Sequence, residues 1–211
     1  MKKVYKNIFG EVVSKSNAVK LEEYHLYYYE KDTDVLKEIE FISEDNIYNI
    51  NYFISENEDE NKAFDYLKEK SDFFDIEERE TEEEFIISTN KLYSLSVNEE
   101  PLISRTVFHI DDPENFICSQ VIDNETQKPQ LEKTVKCWYT TDENGEKYAA
   151  IECSYQDDGK LELAVHKTSD DHEENWAHYD YDTFQDLQDQ VSTDISYYRT
   201  ATFLPQKEFQ K

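Results

Sequence analysis

The chain has 211 residues, enough for one large domain or for two domains of roughly 100 residues each. It carries 49 acidic against 22 basic residues, and the net charge of -27 disfavours nucleic acid as a direct ligand and anionic membrane surfaces, because both are bound through Lys and Arg. Sixteen Tyr and twelve Phe supply apolar surface for a core, so the composition indicates a folded protein.

Cysteine usage and the N-terminus indicate the compartment. Cys118, Cys137 and Cys153 are odd in number and show no paired spacing, which is typical of thiols in a reducing cytoplasm. The N-terminal residues lack an apolar segment before Glu11, and no apolar run approaches the ~20 residues of a membrane helix. We therefore expect a cytoplasmic protein without a signal peptide or a membrane span.

The first half of the chain predicts several strands and one short helix. Alternation of apolar and polar residues indicates strands, and the first four of them are expected at residues 4–13, 19–30, 35–42 and 47–54. The polar residues 55–61 then precede a helix with Phe64, Leu67, Ser71 and Phe74 on one face. A further strand is predicted at residues 85–96.

The second half predicts more strands and a longer helix. Strands are expected at residues 105–110, 116–122, 137–139, 148–155 and 161–166. Asn144-Gly145 and Asp158-Gly159 tolerate the positive φ angles of tight hairpin turns. Phe184, Leu187, Val191, Ile195 and Tyr198 are spaced 3, 4, 4 and 3, which predicts a helix with Asp182 or Thr183 as its N-cap.

These elements predict an α+β fold in which antiparallel β-meanders are each followed by a helix. The succession of strands, turns and a helix occurs twice, so we favour two similar lobes, at residues 1–98 and 99–211. The alternative is one continuous domain over residues 1–211, with a continuous antiparallel sheet and two helices on one face.

No motif points to catalysis or to a cofactor. The sequence has no P-loop, G-x-S-x-G or HExxH motif, and its three glycines are too few for a phosphate-cradling loop. Cys137 and Cys153 lie in predicted strands, where buried thiols are inert. We expect no enzyme, no catalytic residue and no cofactor.

A histidine-containing acidic segment is the candidate for a metal site. His166, His172 and His178 recur every six residues, and Asp170, Asp171, Glu173 and Glu174 lie between them. Period six matches neither a helix face nor the ligand spacing of a zinc site. We therefore predict an acidic loop and no metal site. A metal-dependent enzyme built on this loop is kept as an alternative functional hypothesis.

The acidic runs themselves are the strongest functional signal. They lie at residues 56–60, 75–84, 111–114 and 170–174, and a fixed array of carboxylates can complement a cationic cleft and steer its encounter. Aromatic residues beside them supply the anchors of an interface. The predicted partner-binding residues are Asp75, Glu77, Glu78, Glu80, Glu82, Glu83, Asp170, Asp171, Glu173, Glu174, Trp176, Tyr179, Asp182, Asp186 and Asp189.

With its size, its acidity, its Tyr-rich meander-plus-helix pattern and its lack of a catalytic motif, the chain resembles bacterial immunity proteins, the cytoplasmic antidotes of secreted or polymorphic toxins. The resemblance covers the whole chain without a diagnostic motif, so no family residues carry over. It implies binding to a basic toxin, such as a nuclease, and blockage of the toxin's active site or substrate groove.

Two alternatives remain beside the immunity protein. A phage-encoded nucleic-acid mimic that blocks a host defence nuclease belongs to the same class of acidic inhibitor. A small-ligand or carbohydrate-binding module that uses Trp138 and Trp176 belongs to a different class, and ligand-dependent tryptophan fluorescence distinguishes it from an inhibitor.

Overall fold

The computed structural model describes residues 1–31, 33–97, 100–142, 144–167 and 176–205. In chain order, the strands are β1 (Lys2–Lys6), β2 (Val12–Val13), β3 (Glu23–Tyr29), β4 (Leu36–Ser43), β5 (Asn46–Ile54), β6 (Phe73–Glu82), β7 (Phe85–Ser94), β8 (Leu102–His109), β9 (Asp112–Ile122), β10 (Pro129–Thr141), β11 (Lys147–Tyr155), β12 (Leu161–His166) and β13 (Ala177–Tyr179). The helices are α1 (Lys15–Ala18), α2 (Glu60–Leu67) and α3 (Phe184–Gln188), and a 3-10 helix covers Ser196–Arg199.

The α+β prediction is wrong, because the described residues form mainly β-structure. The strands belong to one mixed sheet with the order β13-β12-β11-β10-β9-β8-β7-β6-β5-β4-β3-β1-β2. The three helices contain only four, eight and five residues. Nearly every strand therefore pairs with its neighbours in the chain, and the meanders are not each closed by a substantial helix.

The longest helix, α2, forms where the sheet changes direction. β5 and β6 pair in parallel, with Ile50 opposite Phe74. A parallel pair needs a crossover connection, which is commonly helical. Asp59 caps the N-terminus of α2 by accepting a hydrogen bond from the backbone N–H of Asn61 at 3.0 Å. The predicted helix face is therefore half right, since Phe74 belongs to β6 and packs against Phe64 from there.

The longer helix predicted for residues 184–198 is also wrong. α3 ends at Gln188, and the chain resumes helical geometry only in the 3-10 helix Ser196–Arg199. Phe184, Leu187, Ile195 and Tyr198 are nevertheless buried together. The apolar spacing identified which residues lie in the core, but it did not predict their backbone conformation. The side chain of Gln188 bonds the backbone of Thr193 and Ile195 and holds an irregular segment against the end of α3.

The glycine-containing turns form as predicted between the strands of the second half. Gly145 and Gly159 have φ angles of 86° and 79°, in the turns that join β10 to β11 and β11 to β12. The regular alternation predicted for residues 161–166 is interrupted. A register shift beside Tyr155 places Leu161 and Ala164 in the core and leaves Leu163 exposed.

The chain divides into two units. Unit 1 comprises Met1–Arg79 and Ser88–Ile103, and unit 2 comprises Glu80–Ile87 and Ser104–Lys211. The division at residue 98 remains a prediction, and Asn98 and Glu99 lie outside the described residues.

Unit 1 has two groups of buried apolar residues. One packs α2 on β5 and β6, and the other packs α1 on β3 and β4. In β5, Ile50 and Tyr52 belong to the first group, while Asn49 and Asn51 point to the other side, which confirms the predicted alternation. The two faces of β5 were therefore readable from the sequence.

Unit 2 packs β11, β12 and α3 around a core that contains the 3-10 helix. Ile151, Cys153 and Tyr155 share one face of β11 and lie in this core. The Tyr155 hydroxyl donates a 2.8 Å hydrogen bond to the backbone carbonyl of Tyr198. None of the helices in the described part of the chain combines the length and the apolar character that a membrane crossing requires.

Candidate partner-binding surfaces

The acidic run at residues 75–84 forms most of β6 and the turn that follows. Side chains alternate along a strand, so Glu78, Glu80 and Glu82 continue the face on which Phe74 and Ile76 are buried. These three glutamates are exposed, because the apolar core ends at Ile76. One face of β6 is therefore apolar and buried in its first half and charged and exposed in its second half.

The opposite face of β6 keeps its charges inside unit 1. Asp75 and Glu77 are only 8% and 9% exposed. Asp75 accepts a 3.0 Å hydrogen bond from Asn90, and Glu77 accepts one of 2.7 Å from Ser88. Burial raises the pKa of Asp75. These two predicted partner-binding residues are thus internal, and their carboxylates are occupied by the protein itself.

The single cation of this run, Arg79, lies beside Glu77, and its side chain is 47% exposed. The Arg79 Nε donates a 2.5 Å hydrogen bond to Glu77, and the guanidinium lies 4.8 Å from the centre of the Phe53 ring. Arg79 therefore neutralises Glu77. It does not neutralise the glutamates on the other face of β6.

Two acidic runs meet at a surface depression of about 120 Å³ in unit 1, which we call the acidic depression. Its carboxylates are Glu56, Glu58, Glu60 and Glu78, and Lys91 is the one lysine that lines it. Residues 56–60 follow β5 and begin α2, whereas Glu78 comes from β6. The parallel β5–β6 pair brings these sequence-distant runs together.

Two of these carboxylates are held by the protein. Glu58 bonds to Lys37 and Tyr52, and these hydrogen bonds lower its pKa although burial alone would raise it. Glu60 accepts hydrogen bonds from Lys91 at 2.6 and 2.8 Å. Glu56 and Glu78 are exposed at the surface. The depression is therefore a pre-ordered anionic surface.

In unit 2, Glu80, Glu82 and Glu83 form a second acidic surface, the acidic hairpin. Glu83 has a φ angle of 57° in the turn between β6 and β7. All three residues are exposed, and Glu80 lies 3.7 Å from Arg105. Carboxylates carried by a strand end and a tight turn are held more rigidly than those of an unstructured acidic tail.

The other predicted partner-binding stretch, residues 170–189, lies only partly within the described residues. Asp170, Asp171, Glu173 and Glu174 lie outside the described residues. Trp176 and Tyr179 are half-buried, with the Lys167 ammonium 4.7 Å from the Trp176 ring and the Tyr179 hydroxyl bonded to Gln190 at 3.1 Å.

The acidic residues around α3 are exposed. They are Asp182, Asp186 and Asp189. Asp189 accepts a 2.9 Å hydrogen bond from Gln185. The predicted N-cap, Thr183, donates hydrogen bonds of 2.9 Å from its backbone N–H and from its hydroxyl to the carboxylate of Asp180, and its side chain does not cap α3. These carboxylates stay candidates for partner contact on unit 2.

Sequence analysis missed a buried charged cluster in unit 1. Glu38 and Glu40, on one face of β4, are 0% and 4% exposed, and both bond to the Lys70 ammonium. Tyr66 donates a 3.0 Å hydrogen bond to Glu38, and Tyr28 donates one of 2.7 Å to Glu40. A strand with Glu at two inward positions was the available signal, but it reads as an ordinary wet face.

The charges of this cluster depend on one another. Burial alone would lower the pKa of Lys70, yet its hydrogen bonds to the two glutamates raise it, while burial raises the pKa of Glu38. Two carboxylates on one ammonium hold the segment after α2 against β4. The cluster is enclosed, so it supports the fold of unit 1 and does not form a partner-binding surface.

A buried lysine occupies the core of unit 2. Lys136 is 0% exposed, and its Nζ lies 2.8 Å from the carbonyl oxygen of Tyr197 and 2.7 Å from that of Thr200. Burial lowers its pKa to about 7. A neutral amine has two N–H groups, which match these two carbonyls, so Lys136 anchors the 3-10 helix to β10.

The three thiols of unit 2 are buried, and those of Cys118 and Cys153 lie close enough to interact with Lys136. Burial raises the pKa of Cys118 and Cys137 to about 11 and that of Cys153 to about 12. Their thiols are therefore protonated near neutral pH, as the prediction of inert structural cysteines requires.

The histidines of the predicted metal segment do not converge where they are described. His166 pairs with Ala177 and Val165 pairs with His178, so the side chains of His166 and His178 lie on opposite faces of the strand pair. His172 lies outside the described residues. Across the rest of the chain that the structure describes, no group of three or more His, Cys, Asp or Glu side chains is arranged to hold a metal ion.

Comparison of the chain with protein-family models, with curated protein sequences and with solved structures finds no match. The interpretation of the acidic surfaces consequently depends on their own geometry and charge.

Proposed function

We propose that this chain is an acidic cytoplasmic inhibitor, of the immunity-protein type, that binds and neutralises a basic partner. The partner is a toxin such as a nuclease, and binding blocks its active site or its substrate groove. The observation that carries the proposal is the meeting of two acidic runs at the acidic depression, where four carboxylates meet two lysines, Lys91 in the lining and Lys37 bonded to Glu58.

The electrostatics favour such a partner. A net charge of -27 attracts a cationic surface at long range, and rigid carboxylates complement a groove that normally receives phosphates. Glu58 and Glu60 are fixed by hydrogen bonds before any partner arrives, so little side-chain entropy is lost there on binding. Glu56 and Glu78 supply exposed charge beside them.

The test is affinity capture from a lysate of the source cells, followed by association kinetics with the purified partner. Three baits are compared: the wild-type chain, the variant Glu56→Gln with Glu78→Gln at the acidic depression, and the control variant Glu125→Gln with Glu162→Gln. All four glutamates are exposed, and each variant loses two negative charges.

We expect one stoichiometric basic protein that the wild-type and control baits retain. The depression variant should associate at least about threefold more slowly at low salt, and the association rate should fall as salt rises. Capture of only generic cationic proteins, released equally from all baits by salt, contradicts the proposal. A variant with Glu80, Glu82 and Glu83 changed to Gln tests the acidic hairpin in the same way.

A further inference from the structure

Unit 2 contains a cleft of about 550 Å³, which we call the aromatic cleft. This volume lies in the range of small-molecule sites, which are concave and mostly apolar with a few polar groups. Phe85, Trp138, Tyr139 and Tyr198 contribute aromatic surface to its walls. The cleft is therefore of the size and composition that a small ligand requires.

The backbone of β10 is adapted to build this wall. Cys137, Trp138 and Tyr139 all line the cleft, although consecutive residues of a regular strand point to opposite faces. The pairing of β10 with β11 shifts register between Trp138 and Tyr139. Such a bulge redirects a side chain and is frequent beside functional sites. Both aromatic residues can line one cleft because of this irregularity.

The charged groups of the cleft are mostly carboxylates. Glu84, Asp111, Asp112 and Asp194 line it, against a single lysine, Lys147. The Lys147 ammonium lies 2.6 Å from Asp112, so the one cation is already paired. The side chain of Asp111 is 88% exposed at the rim. An anionic ligand would meet a net negative site, whereas a cation would be attracted.

His109 adds aromatic surface to the cleft. Its Nδ1 accepts a 3.2 Å hydrogen bond from the backbone N–H of Asp111, which leaves the proton of the neutral ring on Nε2. Nε2 lies 3.5 Å from a carboxylate oxygen of Glu84, and the ring meets Phe85 edge to face at 6.1 Å. The imidazole is thus oriented on both sides by the protein.

We propose that the aromatic cleft binds a small organic cation, with an ammonium or guanidinium group held by the aromatic faces and the rim carboxylates. Aromatic rings attract organic cations through their quadrupoles, and Trp is the strongest of them. Carboxylates add direct charge, and the side chain of Asp111 is highly exposed to an incoming ligand. This inference goes beyond the proposed inhibitor function, since it concerns a small molecule and residues outside the acidic depression.

Two pairs of probes test the requirement for charge. Choline is compared with its neutral isostere 3,3-dimethylbutan-1-ol, and N-butylguanidinium with N-butylurea. The protein is the full chain with Trp176→Phe, so that Trp138 is the one tryptophan left and its fluorescence reports on the cleft. Isothermal titration calorimetry on the wild-type chain provides a second readout.

We expect at least one cation to bind saturably below about 10 mM and its neutral isostere to bind at least about tenfold more weakly. Asp111→Asn should weaken the binding of the cation about threefold or more. Asp157→Asn, which removes another exposed charge, from the β11–β12 turn, should not. No saturable binding of either cation, equal binding of the isosteres, or equal effects of the two variants would overturn the proposal.

The inhibitor proposal stands or fails separately. The variant with Glu56→Gln and Glu78→Gln should bind the cations as the wild-type chain does, because neither residue lines the aromatic cleft. A loss of cation binding in this variant would contradict a site in the cleft.

Discussion

At the residue scale, Lys136 links the stability of unit 2 to pH. Burial lowers its pKa to about 7 in the folded chain, against ~10.4 in the unfolded chain. Folding therefore favours the neutral amine. The stabilisation is complete above the unfolded pKa and is lost as the pH falls through about 7, where both states bind the proton.

We predict that the free energy of unfolding rises between pH 7 and ~8.5, by at most ~1.4 kcal/mol per pH unit. Above ~8.5 the three buried thiols oppose this, because they ionise in the unfolded chain but keep their protons in the fold. Urea unfolding followed by tryptophan fluorescence measures the slope. In Lys136→Met the rise should disappear, and an unchanged slope in this variant would refute the assignment.

A second residue-scale prediction concerns Lys70. Lys70→Met leaves Glu38 and Glu40 buried without their shared cation, and we expect a loss of about 3–5 kcal/mol in the free energy of unfolding. Adding Glu38→Gln to this variant should recover part of the loss, since one buried carboxylate is removed. Chemical denaturation measures both effects.

The matched control is Lys68→Met. Lys68 pairs with Asp65 at 2.5 Å, but both side chains are well exposed, so its loss should cost about 0–1 kcal/mol. Equal costs for the two lysine variants would show that the buried cluster does not depend on its cation.

At the element scale, the turns of the second half offer a matched pair of glycines. Gly145→Ala introduces a side chain at a φ angle of 86° with no atom within 4 Å, so only backbone strain of about 1–2 kcal/mol is expected. Gly159→Ala adds a contact of 3.2 Å with Leu131, a residue packed on the core of unit 2. We expect this variant to cost about 1 kcal/mol more. Thermal unfolding compares them, and equal costs would mean that Leu131 moves aside freely.

The elements also show where the sequence was informative. Hairpins could be predicted from Asn-Gly and Asp-Gly because a tight turn depends on local residues, above all on a glycine that adopts a positive φ angle. The helix expected at residues 184–198 failed because spacing reports which residues are buried and does not fix the backbone that buries them. Residues 75–84 were read for their charge, and their role as a strand followed from pairing with the distant β5.

At the scale of the whole molecule, the net charge of -27 has a cost in self-repulsion. Raising NaCl from about 20 mM to about 500 mM shortens the screening length to a few ångströms. We therefore predict that the urea midpoint rises with NaCl. The increase should be smaller in the variant with Glu80, Glu82 and Glu83 changed to Gln, which has three fewer like charges. A midpoint that falls with NaCl would contradict this account.

The candidate site illustrates the limits of charge patterns in the same way. The acidic runs predicted that carboxylates would be abundant at the surface, but Asp75 and Glu77 belong to the interior and are bonded to Asn90 and Ser88. Alternation along β6 explains the division, because neighbouring residues of one acidic run face opposite sides of the strand.

The sequence by itself determined the acidity, the aromatic composition, the tight turns and the faces of many strands, because these depend on residue type and on local periodicity. Only the tertiary structure decided the extent of the sheet, the meeting of Glu56 with Glu78, and the burial of Lys70 and Lys136. These features depend on which distant strands pair and on what then covers each face, and a local pattern carries no information about either.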